Sequence, residues 1–221
     1  MRALYAHCVN STGRPGIDAH LRELDLDGLT IVPPSLVHLI APECAGLPER
    51  LREALVRLAS EGKAIERRSE GGLLVVEIHD LLEQDPVFKE AAEHPAVLAL
   101  VESWLGEGFR LRSCAPLVVP AEQRTDGMRL HCDGGDAHLS CVWVLTQYNW
   151  ESGALRYVPG SHRLARMPEG DEGTDEATAV EAPPGSLLVF DGHLWHGTWP
   201  RTTPGDRLGV HCLFMGTSQR H

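Results

Sequence analysis

The second half of the chain contains many short β-type segments separated by turn signals, and this pattern constrains the fold more than any other feature. Alternating apolar residues predict the strands, and pairs such as Asp191-Gly192 predict the turns between them. Short, closely spaced strands are typical of a β-sandwich or a jelly-roll barrel. The predicted strands lie near 109–119, 139–147, 154–158, 186–190, 194–199 and 207–215.

The residues up to about 108 predict helices instead. Residues 49–68 place apolar side chains on one stripe at helical spacing, and Pro86 and Pro95 stand where proline often begins a helix. A β-type run at 73–78 interrupts these helices. Because 221 residues are the length of one large domain, we expect a single domain over 1–221. Its class is α+β, mainly β, with the helices packed outside the barrel.

Charge, hydropathy and cysteine spacing limit the partners of the chain. There are 31 acidic and 20 basic residues, a formal net charge of −11 and no basic cluster longer than Arg67-Arg68, so we expect no nucleic-acid partner. No apolar run approaches the roughly 18 residues that cross a bilayer, and residues 1–10 do not resemble a signal peptide. The six cysteines form no CxxC pair, which favours reduced thiols. We expect a cytoplasmic monomer or weak homo-oligomer without a membrane partner.

Histidine is the residue type that points to chemistry, because the chain contains twelve. In His131-Cys132-Asp133, an extended backbone points the imidazole and the carboxylate to one side and Cys132 to the other. Two histidines and one carboxylate on one face of a metal leave three positions open, as non-haem Fe(II) oxygenases require. Six histidines lack a second ligand-type residue nearby and are predicted to be structural: His7, His20, His38, His79, His94 and His221.

A third ligand has to come from another strand. His193 and His196 are three residues apart, so on a strand they face opposite ways and only one of them can be the ligand. Thr198 shares the face of His196, and Arg207 follows His196 by eleven residues. A buried guanidinium suits a dicarboxylate, because it binds carboxylate through two hydrogen bonds and keeps its charge. The predicted polar face of the last strand has three members: Arg207, Gly209 and His211.

Three blocks of this sequence resemble the phytanoyl-CoA dioxygenase family of Fe(II)- and 2-oxoglutarate-dependent oxygenases. They are His131-Cys132-Asp133, residues 151–162, which are similar to the family's NGxLxxxPGSH segment, and residues 185–207. Residues 24–32 are similar to the opening of the family, so the resemblance spans most of the chain. It implies a double-stranded β-helix, that is, a jelly-roll or cupin-like barrel at about 109–217. The helical N-terminal part at about 1–108 would pack outside it.

The resemblance also implies roles for individual residues. Arg207 corresponds to the residue that binds the distal carboxylate of 2-oxoglutarate, and Thr198 falls where a hydroxyl residue often assists. Trp143 resembles a tryptophan that some members place beside the co-substrate, and a core aromatic residue is the alternative. Three residues correspond to the catalytic iron ligands: His131, Asp133 and His196.

The implied reaction is hydroxylation of an unactivated C–H bond of a small molecule. It consumes O₂ and 2-oxoglutarate and releases succinate and CO₂. Asp133 favours hydroxylation because halogenating relatives have a small residue there, although desaturation or ring formation stays open. The charge of −11 and only two lysines offer no cradle for the phosphates of an acyl-CoA. Two alternatives remain: a cupin-type metal enzyme that does not use 2-oxoglutarate, and a non-catalytic barrel that binds a small molecule.

Two further expectations concern the surface. Residues 168–176 are acidic and rich in glycine, which predicts an exposed loop, with a mobile lid as the alternative. Arg201 lies in the turn before the last strand and is expected to be solvated.

Overall fold

The computed structural model describes residues 16–68, 74–119 and 127–217. The predictions for His7, His221 and residues 1–10 fall outside these ranges. Helices occupy the first part of the described chain, as the sequence predicts. They are α1 (Ile17–Asp27), α2 (Pro34–Ile40), α3 (Leu47–Ser60), α4 (Leu81–Gln84), α5 (Pro86–Ala92) and α6 (Pro95–Leu105). None of the described helices is long and apolar enough to cross a membrane.

Two antiparallel sheets form the rest of the fold. The larger has five strands in the order β1-β9-β6-β11-β4, the smaller has four in the order β5-β10-β7-β8, and β2 pairs with β3 separately. The described strands are β1 (Leu29–Val32), β2 (Ile65–Arg68), β3 (Leu74–Glu77), β4 (Arg110–Val119), β5 (Met128–His131), β6 (His138–Val144), β7 (Leu155–Tyr157), β8 (Thr178–Ala179), β9 (Leu187–Asp191), β10 (His196–Thr198) and β11 (Arg207–Met215). The six strands predicted between 109 and 215 are all present, while β1, β2, β5 and β8 were not predicted.

The helix predicted over 49–68 is shorter than its periodicity suggested. It ends at Ser60, because Gly62 adopts a left-handed φ of 75° and closes the helix end. Its N–H donates to the carbonyl of Ala59, and the next N–H donates to that of Leu58, which is the usual glycine cap of a helix. The residues Ile65–Arg68 then form β2 instead of a further helical turn.

The five-stranded sheet buries both of its faces, each against a different partner. Leu139, Val210 and Phe214 lie in one apolar cluster with residues of the helices. Val142 and Leu188 belong to a second apolar cluster and line a cavity whose other wall is the four-stranded sheet. The helices therefore cover the outside of the jelly roll, and the cavity lies between its two sheets.

The acidic segment 168–176 is an exposed loop with several turns. Asp171 pairs with Arg129 on β5 at 2.8 Å. A Cβ at Gly173 would lie 2.9 Å from Val158 and 3.2 Å from Trp195, two residues that do not line the cavity. The loop prediction is confirmed, and these contacts place the loop behind the four-stranded sheet, away from the cavity.

Candidate active site

Three of the predicted site residues come together at one end of the cavity. His131 ends β5, Asp133 follows it by two residues, and His196 begins β10. Oδ1 of Asp133 lies 4.0 Å from Nε2 of His131 and 3.9 Å from Nε2 of His196. Within the described ranges, this is the one group of at least three His, Cys, Asp or Glu side chains with ligand atoms all within 4.8 Å of one another. Two imidazoles and one carboxylate suit a divalent transition metal, so the donor set fits the implied iron.

The strand pairing of β5 and β10 brings the two histidines together. His196 pairs with His131 and Thr198 pairs with Met128, so two steps along β10 match three along β5. Such a bulge re-aims side chains, and here both Met128 and His131 line the cavity. The backbone N–H of Asp133 donates to the carbonyl of Gly192 at 3.0 Å, which ties the third ligand to the turn before β10.

Hydrogen bonds fix which ring nitrogen of each histidine is free. Nδ1 of His131 lies 3.0 Å from the carbonyl oxygen of Arg129, and Nδ1 of His196 lies 2.9 Å from that of Leu194. A carbonyl oxygen can only accept, so each Nδ1 carries a proton and each Nε2 offers its lone pair. This is the orientation that a metal ligand needs.

Electrostatics favour the ligand forms of these side chains. Burial lowers the pKa of His196, which keeps that imidazole neutral. Burial also acts to raise the pKa of Asp133, but the contact with His138 and the attraction of the nearby histidines when they are protonated outweigh it and lower that pKa. A neutral imidazole and an ionised carboxylate are the states that bind metal.

The neighbouring residues that sequence reasoning set aside do lie outside this group. Nδ1 of His193 lies 3.3 Å from Oδ1 of Asp191, and the backbone N–H of His193 donates to the same oxygen. Sγ of Cys132 lies 3.5 Å from the carbonyl oxygen of Arg166. Neither side chain is a member of the triad. His193 lies in the turn before β10 and not on the strand, so its pairing with Asp191, and not strand alternation, keeps it out of the site.

Arg207 lies in the same cavity, which has a volume of about 270 Å³. Its Nη1 donates to the carbonyl of Gly153, and its guanidinium lies 5.3 Å from the ring centroid of Tyr148. Nε of Arg207 is buried and has no hydrogen-bond partner within the described part of the chain. A buried donor without a partner is unfavourable, so this nitrogen is available to an anionic ligand such as a carboxylate.

Thr198 also lines the cavity. Its Oγ1 accepts a hydrogen bond from the backbone N–H of Met128 at 2.9 Å. Because that bond uses the oxygen as an acceptor, the hydroxyl proton can still be donated to a ligand. The position agrees with the predicted role beside Arg207, and the role itself stays a prediction.

Trp143 requires a correction. Its Nε1 donates to the carbonyl of Ala91 at 3.1 Å, and its ring packs edge-on against His94. The neighbouring Val142 is the β6 residue that lines the cavity, and successive strand residues face opposite sides. Trp143 therefore belongs to the core under the helices, and its predicted place beside the co-substrate is wrong.

Arg201 requires a correction as well. It was expected to be solvated, yet only 4% of its surface is exposed. Its Nε donates to the carbonyl of Thr203 at 3.1 Å, and a Cβ at Gly153 would lie 2.9 Å from its own Cβ. Burial, followed by the charge of Arg207, lowers its pKa. The Arg201 side chain is therefore packed against the barrel, although most other residues of the turn before β11 are exposed.

Two cavity residues were given no role by sequence reasoning. Tyr148 follows β6 and is 3% exposed, and a Cβ at Gly209 would come within 2.7 Å of its hydroxyl oxygen. His211 lies 3.0 Å from Oγ of Ser140, and burial lowers its pKa to about 4. The alternating face of β11 did signal His211, whereas nothing in the sequence signalled Tyr148.

A jelly roll with a two-histidine, one-carboxylate group and an arginine in one cavity defines a class, the non-haem metal oxygenases. The sequence profile of the phytanoyl-CoA dioxygenase (PhyH) family matches residues 24–209. The chain belongs to this family, and the predicted family and dioxygenase class are confirmed.

Two curated relatives are similar to much of this chain. The uncharacterized protein Mb1539 of Mycobacterium bovis is 29% identical over 205 residues, which cover 85% of this chain and 73% of the relative. Dioxygenase af480 of Aspergillus fumigatus is 27% identical over 156 residues, which cover 66% of this chain and 49% of the relative.

Solved structures confirm the fold. The epimerase SnoN, in complex with Fe3+, alpha ketoglutarate and nogalamycin RO, superposes with a TM-score of 0.74 at 23% identity, covering 93% of this chain and 86% of SnoN. HygX of Streptomyces hygroscopicus, with nickel, 2-oxoglutarate and hygromycin B bound, has a TM-score of 0.69 at 21% identity, covering 90% of this chain and 87% of HygX.

Proposed function

We propose that the chain is an Fe(II)- and 2-oxoglutarate-dependent oxygenase that hydroxylates an unactivated C–H bond of a small molecule, with release of succinate and CO₂. The observation that carries this proposal is the placement of the triad and Arg207 in one cavity between the sheets. The family assignment and the iron and alpha ketoglutarate bound by SnoN support it.

Each part of the cavity has a task in this reaction. His131, Asp133 and His196 would hold Fe(II), which, when bound, supplies the activation of O₂ and the oxidation of the substrate. Arg207 binds the distal carboxylate of 2-oxoglutarate through its unpaired Nε, and Thr198 donates to the same carboxylate. The remaining walls are apolar and exclude water from the reacting groups; they include Leu117, Val142, Leu155, Leu188 and Phe190.

The substrate approaches from the side of the triad. The side chains of His131 and Asp133 are 29% and 40% exposed, whereas that of His196 is 8% exposed. A small molecule therefore reaches the reacting centre over His131 and Asp133. The small molecules bound by SnoN and HygX support a ligand of this size.

The proposal also covers the organisation of the protein. It comprises one oxygenase domain over 1–221, a cytoplasmic location, a monomer or weak homo-oligomer, and no nucleic-acid or membrane partner. The net charge of −11 supports the absence of nucleic acid.

The test is an anaerobic titration with Fe(II) followed by 2-oxoglutarate, read by the visible charge-transfer absorption of the chelated complex. Succinate release under air then reports turnover. Iron binding without a response to 2-oxoglutarate would favour the cupin-type alternative, and absence of iron binding would favour the non-catalytic barrel. Product analysis separates hydroxylation from desaturation or ring formation.

Arg207→Leu should raise the Kd for 2-oxoglutarate in this titration while Fe(II) still binds. Removing one partner of a buried charge pair costs roughly 2–5 kcal/mol, which is about 30-fold or more in affinity. Arg207→Lys should recover only part of the loss, because an ammonium group cannot form two parallel hydrogen bonds.

The matched control is Arg112→Leu, which removes an exposed arginine from β4, the strand beside β11. Its Kd should equal that of the wild type. A Kd for Arg207→Leu that also equals the wild-type value would remove the co-substrate assignment.

A further inference from the structure

We infer that His138 positions Asp133 so that only one carboxylate oxygen reaches the metal, which preserves the coordination positions that 2-oxoglutarate and O₂ need. This inference rests on the proposed function, because it takes the triad to hold a metal ion. His138 belongs to no motif that pointed to function, and its role is to hold another residue in place.

The two oxygens of Asp133 face different partners. Oδ1 faces Nε2 of His131 and Nε2 of His196, at 4.0 and 3.9 Å. Oδ2 lies 3.5 Å from Nε2 of His138, a distance at the long end for a hydrogen bond. Nδ1 of His138 lies 2.8 Å from the carbonyl oxygen of Asp136. Each ring nitrogen of His138 thus faces an acceptor, so a ring protonated on both nitrogens donates to the carbonyl of Asp136 and toward the Asp133 oxygen that the other two histidines leave free.

The surrounding chain holds the His138 ring in this place. The residue is 6% exposed, and a Cβ at Gly192 would lie only 1.8 Å from its Nε2. The N–H of Gly192 donates to the carbonyl of His138, and the carbonyl of Gly192 accepts from the N–H of Asp133. One glycine therefore makes room for the ring and ties its backbone to that of Asp133.

The number of carboxylate oxygens on the metal decides how many positions stay open. An octahedral ion held by two histidines and one carboxylate oxygen keeps three positions free. A second oxygen from Asp133 would take one of them. Since 2-oxoglutarate chelates through two oxygens, no position would then remain for O₂. A partner for Oδ2 prevents this loss.

The first test needs only the wild-type protein loaded with Mn(II) in place of Fe(II). Water proton relaxation reports the number of water molecules on the bound ion, and we expect three. A count of two would overturn this inference alone. If the wild type binds no Mn(II) and no Fe(II), the proposed function fails and this inference fails with it.

The second test compares two substitutions of the same residue. His138→Leu should lower the water count from three to two and weaken Mn(II) binding by about 10- to 100-fold, the usual effect of removing a hydrogen-bond partner of a ligand. His138→Gln should restore three waters, because its amide can donate to Oδ2. A role limited to packing would leave the water count at three in both variants, and that result would overturn the inference.

His193→Leu is the matched control. Its ring centroid lies 6.2 Å from that of His138, but its partner is Asp191. Both the water count and the affinity should match the wild type. If His138→Leu does not fold, His138→Met replaces it as a variant without a donor. Two waters in that variant support the inference, and three would overturn it.

Discussion

At the scale of single residues, three histidines around the site share one local contact. Nδ1 of His131, His138 and His196 each lies within 3.0 Å of the carbonyl oxygen two residues earlier in the chain. A contact over two residues forms as soon as the backbone is extended, so it needs no distant part of the fold. For His131 and His196 the ring orientation and the free Nε2 are therefore encoded locally, whereas Nε2 of His138 faces Oδ2 of Asp133. The sheets then bring the three rings together.

His196→Ala should weaken Fe(II) binding sharply and abolish turnover, because it removes one of two imidazole ligands. His193→Ala should retain both, since His193 pairs with Asp191 instead. Metal titration and succinate release measure the two effects. Loss of iron in His193→Ala together with retention in His196→Ala would show that the distal ligand is assigned to the wrong histidine.

The triad could be predicted from the sequence, and other site residues could not. The spacing of His131 and Asp133 is local, and the motif around His196 is contiguous in the chain. The environment of Trp143 depends on which face of β6 the helices cover, and the burial of Arg201 depends on packing against Gly153. Both depend on distant parts of the chain that strand alternation alone does not describe.

At the scale of elements, the sequence predicted strands better than their irregularities. The turn residues and alternation located β4, β6, β7, β9, β10 and β11, but the bulge between β5 and β10 left no such signal. The bulge arises from pairing between strands that lie more than 60 residues apart in the chain. The same limit explains why β1, which pairs with β9 across the larger sheet, was not predicted.

The acidic loop, residues 168–176, should be independent of catalysis because it lies behind the four-stranded sheet. Asp171→Asn breaks its exposed pair with Arg129, and such pairs contribute less than about 1 kcal/mol. We expect a small change in the melting temperature and an unchanged kcat/KM. A clear fall in kcat/KM at unchanged stability would show that the loop acts as a lid.

At the scale of the whole molecule, several buried histidines make the fold sensitive to acid. Burial lowers the pKa of His94, His162, His196 and His211, so the folded state holds these rings neutral. In the unfolded chain the same rings bind protons near their ordinary pKa of about 6.5. Below that pH the unfolded state binds more protons than the folded state, so the free energy of unfolding decreases.

For His211 the size of this effect can be stated. Its folded pKa is about 4, so its contribution is present above pH 6.5 and is lost as the pH falls toward 4. Between pH 7 and pH 5 it accounts for about 2 kcal/mol of lost stability. In metal-free protein, urea unfolding at these two values should show a smaller loss for His211→Gln than for the wild type. Equal losses would mean that His211 is not held neutral by the fold.

The contact between Gly192 and His138 also limits how the family can diverge at these positions. The φ of Gly192 is not positive, so the backbone conformation itself does not require glycine. The three atoms nearest to a Cβ there all belong to the His138 ring, at 1.8 to 2.3 Å. The two positions therefore cannot drift independently. A homologue with a side chain at position 192 must carry a smaller residue at position 138. The two residues therefore change together, and an alignment of homologues should show covariation between these two positions.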